Sequence, residues 1–232
     1  MTVADLEVAQ AIAALYDPLT GSDPAQWLHL DTGGDDDQIY WAIKLSASGV
    51  PIVVYRGSIL AVDWERDFEA VPYQENDLHL GLVHGGMYKG VPKSCSEAAK
   101  ILGNEPYILA GHSLGAGRAA QAAGIGVATG RPPLALILFG EPRAGGDRLV
   151  SVLSSIPVRS YRNGGEILHD PVTGLPPSAP IPFRHAGGAA RPLIDVHELP
   201  SGADVLVPTA YHSFSLYEKA IARLSPMPTI GD

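Results

Sequence analysis

Cysteine is almost missing from this chain: Cys95 is the single one among 232 residues. One cysteine rules out an intrachain disulfide and supplies none of the Cys/His spacing that holds zinc or an iron–sulfur cluster. Cys95 itself reads as a small residue early in a helix rather than a reactive thiol. Long apolar runs are missing too, and none approaches the length of a membrane span. Basic residues are scarce: 16 Lys and Arg stand against 25 Asp and Glu, a formal net charge of -9. That balance argues against nucleic acid as a partner and against a strong hold on anionic membranes, while leaving a neutral substrate open. Met1 to Gln10 carries acids where a secretory signal carries basic residues. A cytoplasmic location is therefore expected, with a secreted mature form as the alternative. Oligomeric state leaves no signature.

What is present is an ordinary globular composition. Hydrophobic residues are 46% of the chain and charged residues 18%, enough to close one large core. The expectation is a single α/β domain over residues 1–232. Val3, Leu6, Ala9 and Ala13 alternate with Asp5, Glu7 and Gln10 at helical spacing, which predicts a helix over 2–15. Asp, Gly and Pro dominate from Gly21 to Gln38, which reads as loop. Within it, Asp35-Asp36-Asp37 lacks the alternating acids and closing glutamate of a calcium loop and reads as a solvated turn. Strands are predicted over 39–45 and 50–55, joined by a hairpin at Ala47-Ser48-Gly49. The apolar run 134–139 suits a parallel strand buried on both faces; a helix over 147–155 and a strand over 158–162 follow. Pro and Gly crowd residues 171–202, predicting a long irregular loop at the mouth of the site.

The most informative stretch runs from Tyr107 to Gln121. Tyr107-Ile108-Leu109-Ala110 suits a buried strand and leads into Gly111-His112-Ser113-Leu114-Gly115. A helical pattern of small residues follows through Ala116, Ala119, Ala120, Ala122 and Ala123. Gly-x-Ser-x-Gly between a strand and a helix is a nucleophile elbow. A serine on so sharp a turn is strained, and its neighbours two positions away press against other backbone, which residues without a Cβ allow. The helix behind it aims free N–H groups and a positive dipole end at the place where negative charge develops. The competing reading is a helix-capping serine in a glycine-rich turn.

Five segments, in order, resemble one family. They are Val53-Val54-Tyr55-Arg56-Gly57-Ser58 with Asp63-Trp64 and Asp67-Phe68; Val83-His84-Gly85-Gly86-Met87; Gly111 to Gly115; Phe139-Gly140-Glu141-Pro142-Arg143-Ala144-Gly145; and Asp170-Pro171-Val172 with Leu175-Pro176-Pro177. Together they are similar to the class 3 lipases, the fungal-type α/β-hydrolases. The resemblance implies a mostly parallel central sheet with helices on both faces. It also implies ester hydrolysis by a Ser-His-Asp triad, with no cofactor or metal required. Oxyanion donors are expected at the backbone of Leu114, the residue after the nucleophile, and, from the resemblance, at Ser58. The segment after Ser58 is implied to carry a lid or groove wall. There Ile59, Leu60, Val62 and Trp64 are apolar enough to touch an acyl chain, and equally to be plain core.

The chain order serine, acid, histidine is the one α/β-hydrolases use. Ser113 is the candidate nucleophile and Asp170 the candidate acid. The family usually puts this aspartate close behind its strand, whereas here Asn163 to His169 intervene, so Glu166 competes with it. His212, in Ala210-Tyr211-His212-Ser213-Phe214 before a terminal helix, is the candidate base, and His185 in Phe183-Arg184-His185 is the second. His84 and His112 read as packed scaffold; His29, His79, His169 and His197 as surface or local structural residues. The expected partner is a small-molecule or lipid ester of short to medium acyl chain, met by transient contact with an interface and not by insertion. Competing functions are a non-catalytic binding protein on the same fold, an acyltransferase, a phospholipase or a feruloyl-type esterase.

Overall fold

The computed structural model describes residues 2–16, 27–31, 41–57, 71–164 and 167–231. The first elements along the chain are β1 (Val3–Ala4), α1 (Asp5–Tyr16), β2 (Trp27–Asp31), β3 (Trp41–Leu45), β4 (Pro51–Tyr55), β5 (Pro72–Glu75) and β6 (Gly81–His84). Next come α2 (Gly85–Tyr88), α3 (Val91–Leu102), β7 (Ile108–His112), α4 (Leu114–Ala128), β8 (Ala135–Phe139) and α5 (Asp147–Leu153). The last are β9 (Val158–Asn163), β10 (Ile194–Val196), α6 (Phe214–Ala222) and β11 (Thr229–Ile230).

A seven-stranded sheet in the order β10-β9-β8-β7-β4-β3-β2 carries the architecture. From β10 to β4 the neighbours are parallel, and β3 and β2 close one edge as antiparallel strands. The central strands are apolar at every position because both of their faces are covered. The two-residue period of a strand sorts these side chains. Ile52, Val54, Ile108, Ala110, Ile137 and Phe139 enter a core shared with α1 and α6. Val53, Tyr55, Leu109, Leu136 and Leu138 enter the opposite core, beneath α3, α4 and α5. This is the expected mostly parallel sheet with helices on both faces, an α/β-hydrolase fold. The hairpin at Ala47-Ser48-Gly49 is present, with Gly49 at φ 81° and its N–H donating to Ser46 O at 2.9 Å. Among the described residues no helix is long and apolar enough to cross a membrane.

Three readings are corrected. The stretch 21–38, taken as loop, contains β2, whose signal is weak because an edge strand of five residues is only part-buried. Residues 171–202 contain β10, three residues held parallel to β9, with Asp195 opposite Arg162 and bonded to its Nε and Nη2 at 2.7 and 3.0 Å. Asp5, placed by spacing on the polar face of the first helix, is fully buried at the start of α1. Its carboxylate accepts from Arg159 Nε at 2.7 Å, from Arg159 Nη2 and from Tyr161 Oη at 2.6 Å. The tempting run Asp35-Asp36-Asp37 lies outside the described residues.

That buried cluster ties α1 to β9. Asp5→Ala leaves a guanidinium and a phenol without their acceptor, and removing one partner of a buried pair costs about 3 kcal/mol. The expected outcome is a lower urea midpoint at unchanged slope; an unmoved midpoint would mean that water replaces the carboxylate at no cost.

Candidate active site

β7 delivers the chain to Ser113, and α4 leaves from Leu114. Ser113 sits at φ 59° and ψ -132°, a region that L-residues avoid. Close backbone packing holds it there. A Cβ on Gly111 would stand 2.3 Å from Gly115 O, and one on Gly115 would stand 2.3 Å from Tyr55 O. On the other side of the turn, a Cβ on Gly57 would lie 2.5 Å from Ser113 Cβ and 3.1 Å from its Oγ. The Ser113 N–H donates to Phe139 O, at the end of β8, at 3.0 Å. Leu114 opens α4, so its amide belongs to the first turn, where helix geometry supplies no acceptor.

β8 runs into Gly140, at φ 57°. A Cβ there would lie 2.6 Å from Asp170 Oδ2 and 2.9 Å from His212 Cε1, so only a bare Cα lets these two groups close over the strand end. Asp170 and His212 are both buried, and His212 Nδ1 donates to Asp170 Oδ2 at 2.6 Å. That bond assigns the proton to Nδ1 and leaves Nε2 as the basic nitrogen. Asp170 accepts two further hydrogen bonds, from Tyr217 Oη to Oδ2 at 2.5 Å and from Val172 N to Oδ1 at 2.9 Å. Burial, together with the charge of Asp170, raises the Tyr217 phenol well above its usual value, so it remains a donor. Tyr217 Oη in turn accepts from Asn163 N at 3.0 Å.

The insertion between β9 and Asp170 closes on itself. Gly164 and His169 pair as a bridge, and Asp170 N donates to Asn163 O at 2.8 Å. A Cβ on Gly164 would lie 2.2 Å from His169 Nδ1, so the closure needs glycine. The extra residues thus return Asp170 to the end of β9. Glu166, the rival acid, lies outside the described residues, as do Ser58, Ile59, Leu60, Val62 and Trp64.

His185, the rival base, faces another group. Its Nδ1 lies 3.9 Å from Glu141 Oε2, and burial with the nearby Arg143 and Arg162 lowers it to about 4, so the ring is neutral. Burial pushes the Glu141 carboxyl up to about 7, although Ala186 N and Ser160 Oγ donate to it at 2.6 and 2.7 Å. His112 is buried, and burial with the neighbouring His212 holds it well below the usual imidazole value. Its Nδ1 accepts from Tyr16 Oη at 2.5 Å and its Nε2 donates to His212 O at 3.1 Å. His84 caps α2, with Nδ1 accepting from Met87 N at 3.3 Å. The Cys95 thiol, on α3, is pushed up to about 12 by burial and is inert.

Sequence reasoning missed Tyr217, Gly140, Asn163 and Tyr16. Each acts through a partner far along the chain, and Ser213-Phe214-Ser215-Leu216-Tyr217 looks like ordinary helix. Ile167, Leu168, Leu199, Val205, Leu206 and Tyr211 line the apolar side of an open groove of about 850 Å³, and His197, Glu198 and Arg223 line the rest. Ile167 and Leu206 are 89% and 78% exposed at its rim, a large apolar area to leave in water.

Residues 52–179, more than half of the chain, match the family described as Lipase (class 3). The matched stretch holds Ser113 and Asp170 and stops short of His212. No curated protein matches the sequence significantly. Among solved structures, Rhizomucor miehei lipase in its propeptide complex is similar at 19% identity, with 93% of this chain and 83% of that one covered and a TM-score of 0.64. A lipase from Rhizopus microsporus var. chinensis is similar at 17% identity, covering 93% and 88%, with a TM-score of 0.66. A triacylglycerol lipase from Penicillium expansum is similar at 15% identity, covering 83% and 78%, with a TM-score of 0.58. Identities this low carry the fold and leave the substrate open. By the family match over more than half its length, the chain belongs to the class 3 lipases and is a serine carboxylic ester hydrolase of the lipase and esterase type.

Proposed function

We propose that this chain cleaves acyl esters through an acyl-enzyme on Ser113, with His212 as general base and then acid, and Asp170 orienting the imidazole. The observation that carries the reading is the 2.6 Å bond from His212 Nδ1 to Asp170 Oδ2, made against the same strand end that receives the Ser113 amide. As Ser113 Oγ attacks the acyl carbon, its proton passes to His212 Nε2, and the imidazolium returns it to the leaving alcohol. Water, deprotonated by the same nitrogen, then releases the acid and restores the serine. Asp170 keeps the ring in the right tautomer and stabilises its charged form. We assign the oxyanion to the amides of Leu114 and Ser58. The start of α4 at Leu114, and the contact of Gly57 with the Ser113 side chain, support that assignment.

The apolar side of the groove at Tyr211, formed by Ile167, Leu168, Leu199, Val205 and Leu206, supports an acyl chain as the occupant and transient contact with a lipid interface through Ile167 and Leu206. Ile59, Leu60, Val62 and Trp64 are kept in this reading as residues that touch the acyl chain, on their apolar character alone, and the substrates are esters of short to medium chain.

Ser113→Ala is expected to lower p-nitrophenyl butyrate hydrolysis by about 10⁴-fold or more with the melting temperature kept. It should also abolish labelling by a fluorophosphonate; near-normal turnover in this variant, or no labelling of the wild type, would overturn the mechanism. Asp170→Asn should cost about 10⁴-fold in kcat because it admits the wrong tautomer. Tyr217→Phe keeps the carboxylate and loses one donor, so it should cost roughly tenfold, within the range of a slightly misplaced catalytic group. Equal losses in the two variants would mean that the phenol does more than orient Asp170. Across a p-nitrophenyl ester series, kcat/KM should peak at short to medium chains and change little on micellisation. A steep rise on emulsified long-chain ester would refute that substrate range.

A further inference from the structure

We propose that His29, Asp31 and Glu97 form a binding site for one divalent transition-metal ion of the zinc type, which clips the edge strand β2 to α3. His29 and Asp31 are two residues apart on β2 and therefore project from the same face. Glu97 lies in α3 and comes close to both. One ring nitrogen of His29 and one carboxylate oxygen from each acid all lie within 4.8 Å of one another, and all three residues are half-buried.

Four observations point to a cation here. His29 Nε2 is shielded from solvent and makes no hydrogen bond among the described residues, although two carboxylates stand beside the ring. A buried ring nitrogen left in that condition calls for an explanation. Glu97 forms no ion pair among the described residues, so its half-buried carboxylate stands beside Asp31 with no cation of its own to offset its charge. The outer layer is built as metal sites build it. The indole of Trp41 stacks on His29, with ring centroids 4.2 Å apart, and its Nε1–H donates to Asp31 Oδ2 at 3.2 Å, so one side chain orients two ligands. Finally, among the described residues β2 hydrogen-bonds to β3 along one edge and to no strand on its other side. An ion shared with α3 would supply a tether that backbone pairing does not.

The donor set selects the ion. One imidazole nitrogen with two carboxylate oxygens suits zinc and its neighbours, whereas calcium takes six to eight oxygens and magnesium keeps most of its water. Tetrahedral zinc, with ligands about 2.0–2.1 Å from the ion, needs its donor atoms about 3.4 Å apart. Rotamer adjustment of Asp31 and Glu97 supplies that contraction, and water completes the fourth position. The charges balance without proton loss: two carboxylates and one neutral imidazole receive a dication. The site lies on the edge strand and α3, and it takes no part in the ester chemistry proposed for Ser113.

The test uses the full chain stripped with EDTA and titrated with zinc by calorimetry, with thermal unfolding followed in parallel. One equivalent should bind, and the melting temperature should rise by several degrees, with no such rise from calcium at the same concentration. Glu97→Gln, which keeps shape and helix, and His29→Asn should each weaken binding at least tenfold and remove the thermal shift while leaving the circular dichroism spectrum unchanged. The proposal is overturned if the stripped chain binds no zinc, if both variants keep the equivalent, or if calcium alone gives the shift.

Discussion

A left-handed serine is a strained residue, and at Ser113 the strain is held by backbone meeting backbone. Conformations of this kind cost on the order of 1–3 kcal/mol each and persist only where the surroundings over-determine them. Here Gly111 and Gly115 let β7, α4 and the end of β4 approach more closely than any side chain would permit, and Gly57 closes the turn from the far side. The Ser113 amide is also tied to Phe139 at the end of β8. Three parallel strands thus share the load, which is why the site sits at their carboxyl ends and why those strands are buried on both faces.

Around this turn runs a chain of polar contacts that reaches the other groups. Gly57 N donates to Tyr16 Oη, Tyr16 donates to His112 Nδ1, and His112 Nε2 donates to the backbone oxygen of His212. The relay requires a neutral imidazole, since only that form accepts at one nitrogen while donating at the other, and burial keeps His112 in it. The end of β4, helix α1, the elbow and the histidine turn are thereby joined by side chains from distant parts of the sequence. Asp170 is fixed from the opposite side by Tyr217, Val172 and the backbone of Asn163. The imidazole of His212 is held between two networks, one gripping its backbone and one its ring.

What could be read in the sequence divides along the length scale of the signal. The elbow, the hairpin at 47–49 and the buried strand expected at 134–139 each announce themselves within a few residues, and all are present, the strand as Ala135–Phe139 with Leu134 exposed ahead of it. β2 and β10 escaped because short edge strands owe their shape to a ladder with a distant neighbour rather than to their own composition. Asp5 looked like a surface acid because its partners, Arg159 and Tyr161, lie 154 and 156 residues away. His29, Asp31 and Glu97 carry no motif either: a helix brings the third to the first two.

The amino-acid order by itself determined the elbow turn at Ser113, the direction of most of the sheet and the family, since a tight turn and a doubly buried strand are demands that a few adjacent side chains either meet or fail. Which imidazole faces which carboxylate was decided only in three dimensions. His212 and Asp170 are 42 residues apart, and the loop behind β9 had to fold back through Gly164 before they could touch. His185, the second candidate in the sequence, stands 3.9 Å from Glu141 instead. The physical reason is that a hydrogen bond forms where chain packing sets the atoms at bonding distance, and that packing is a property of the whole core.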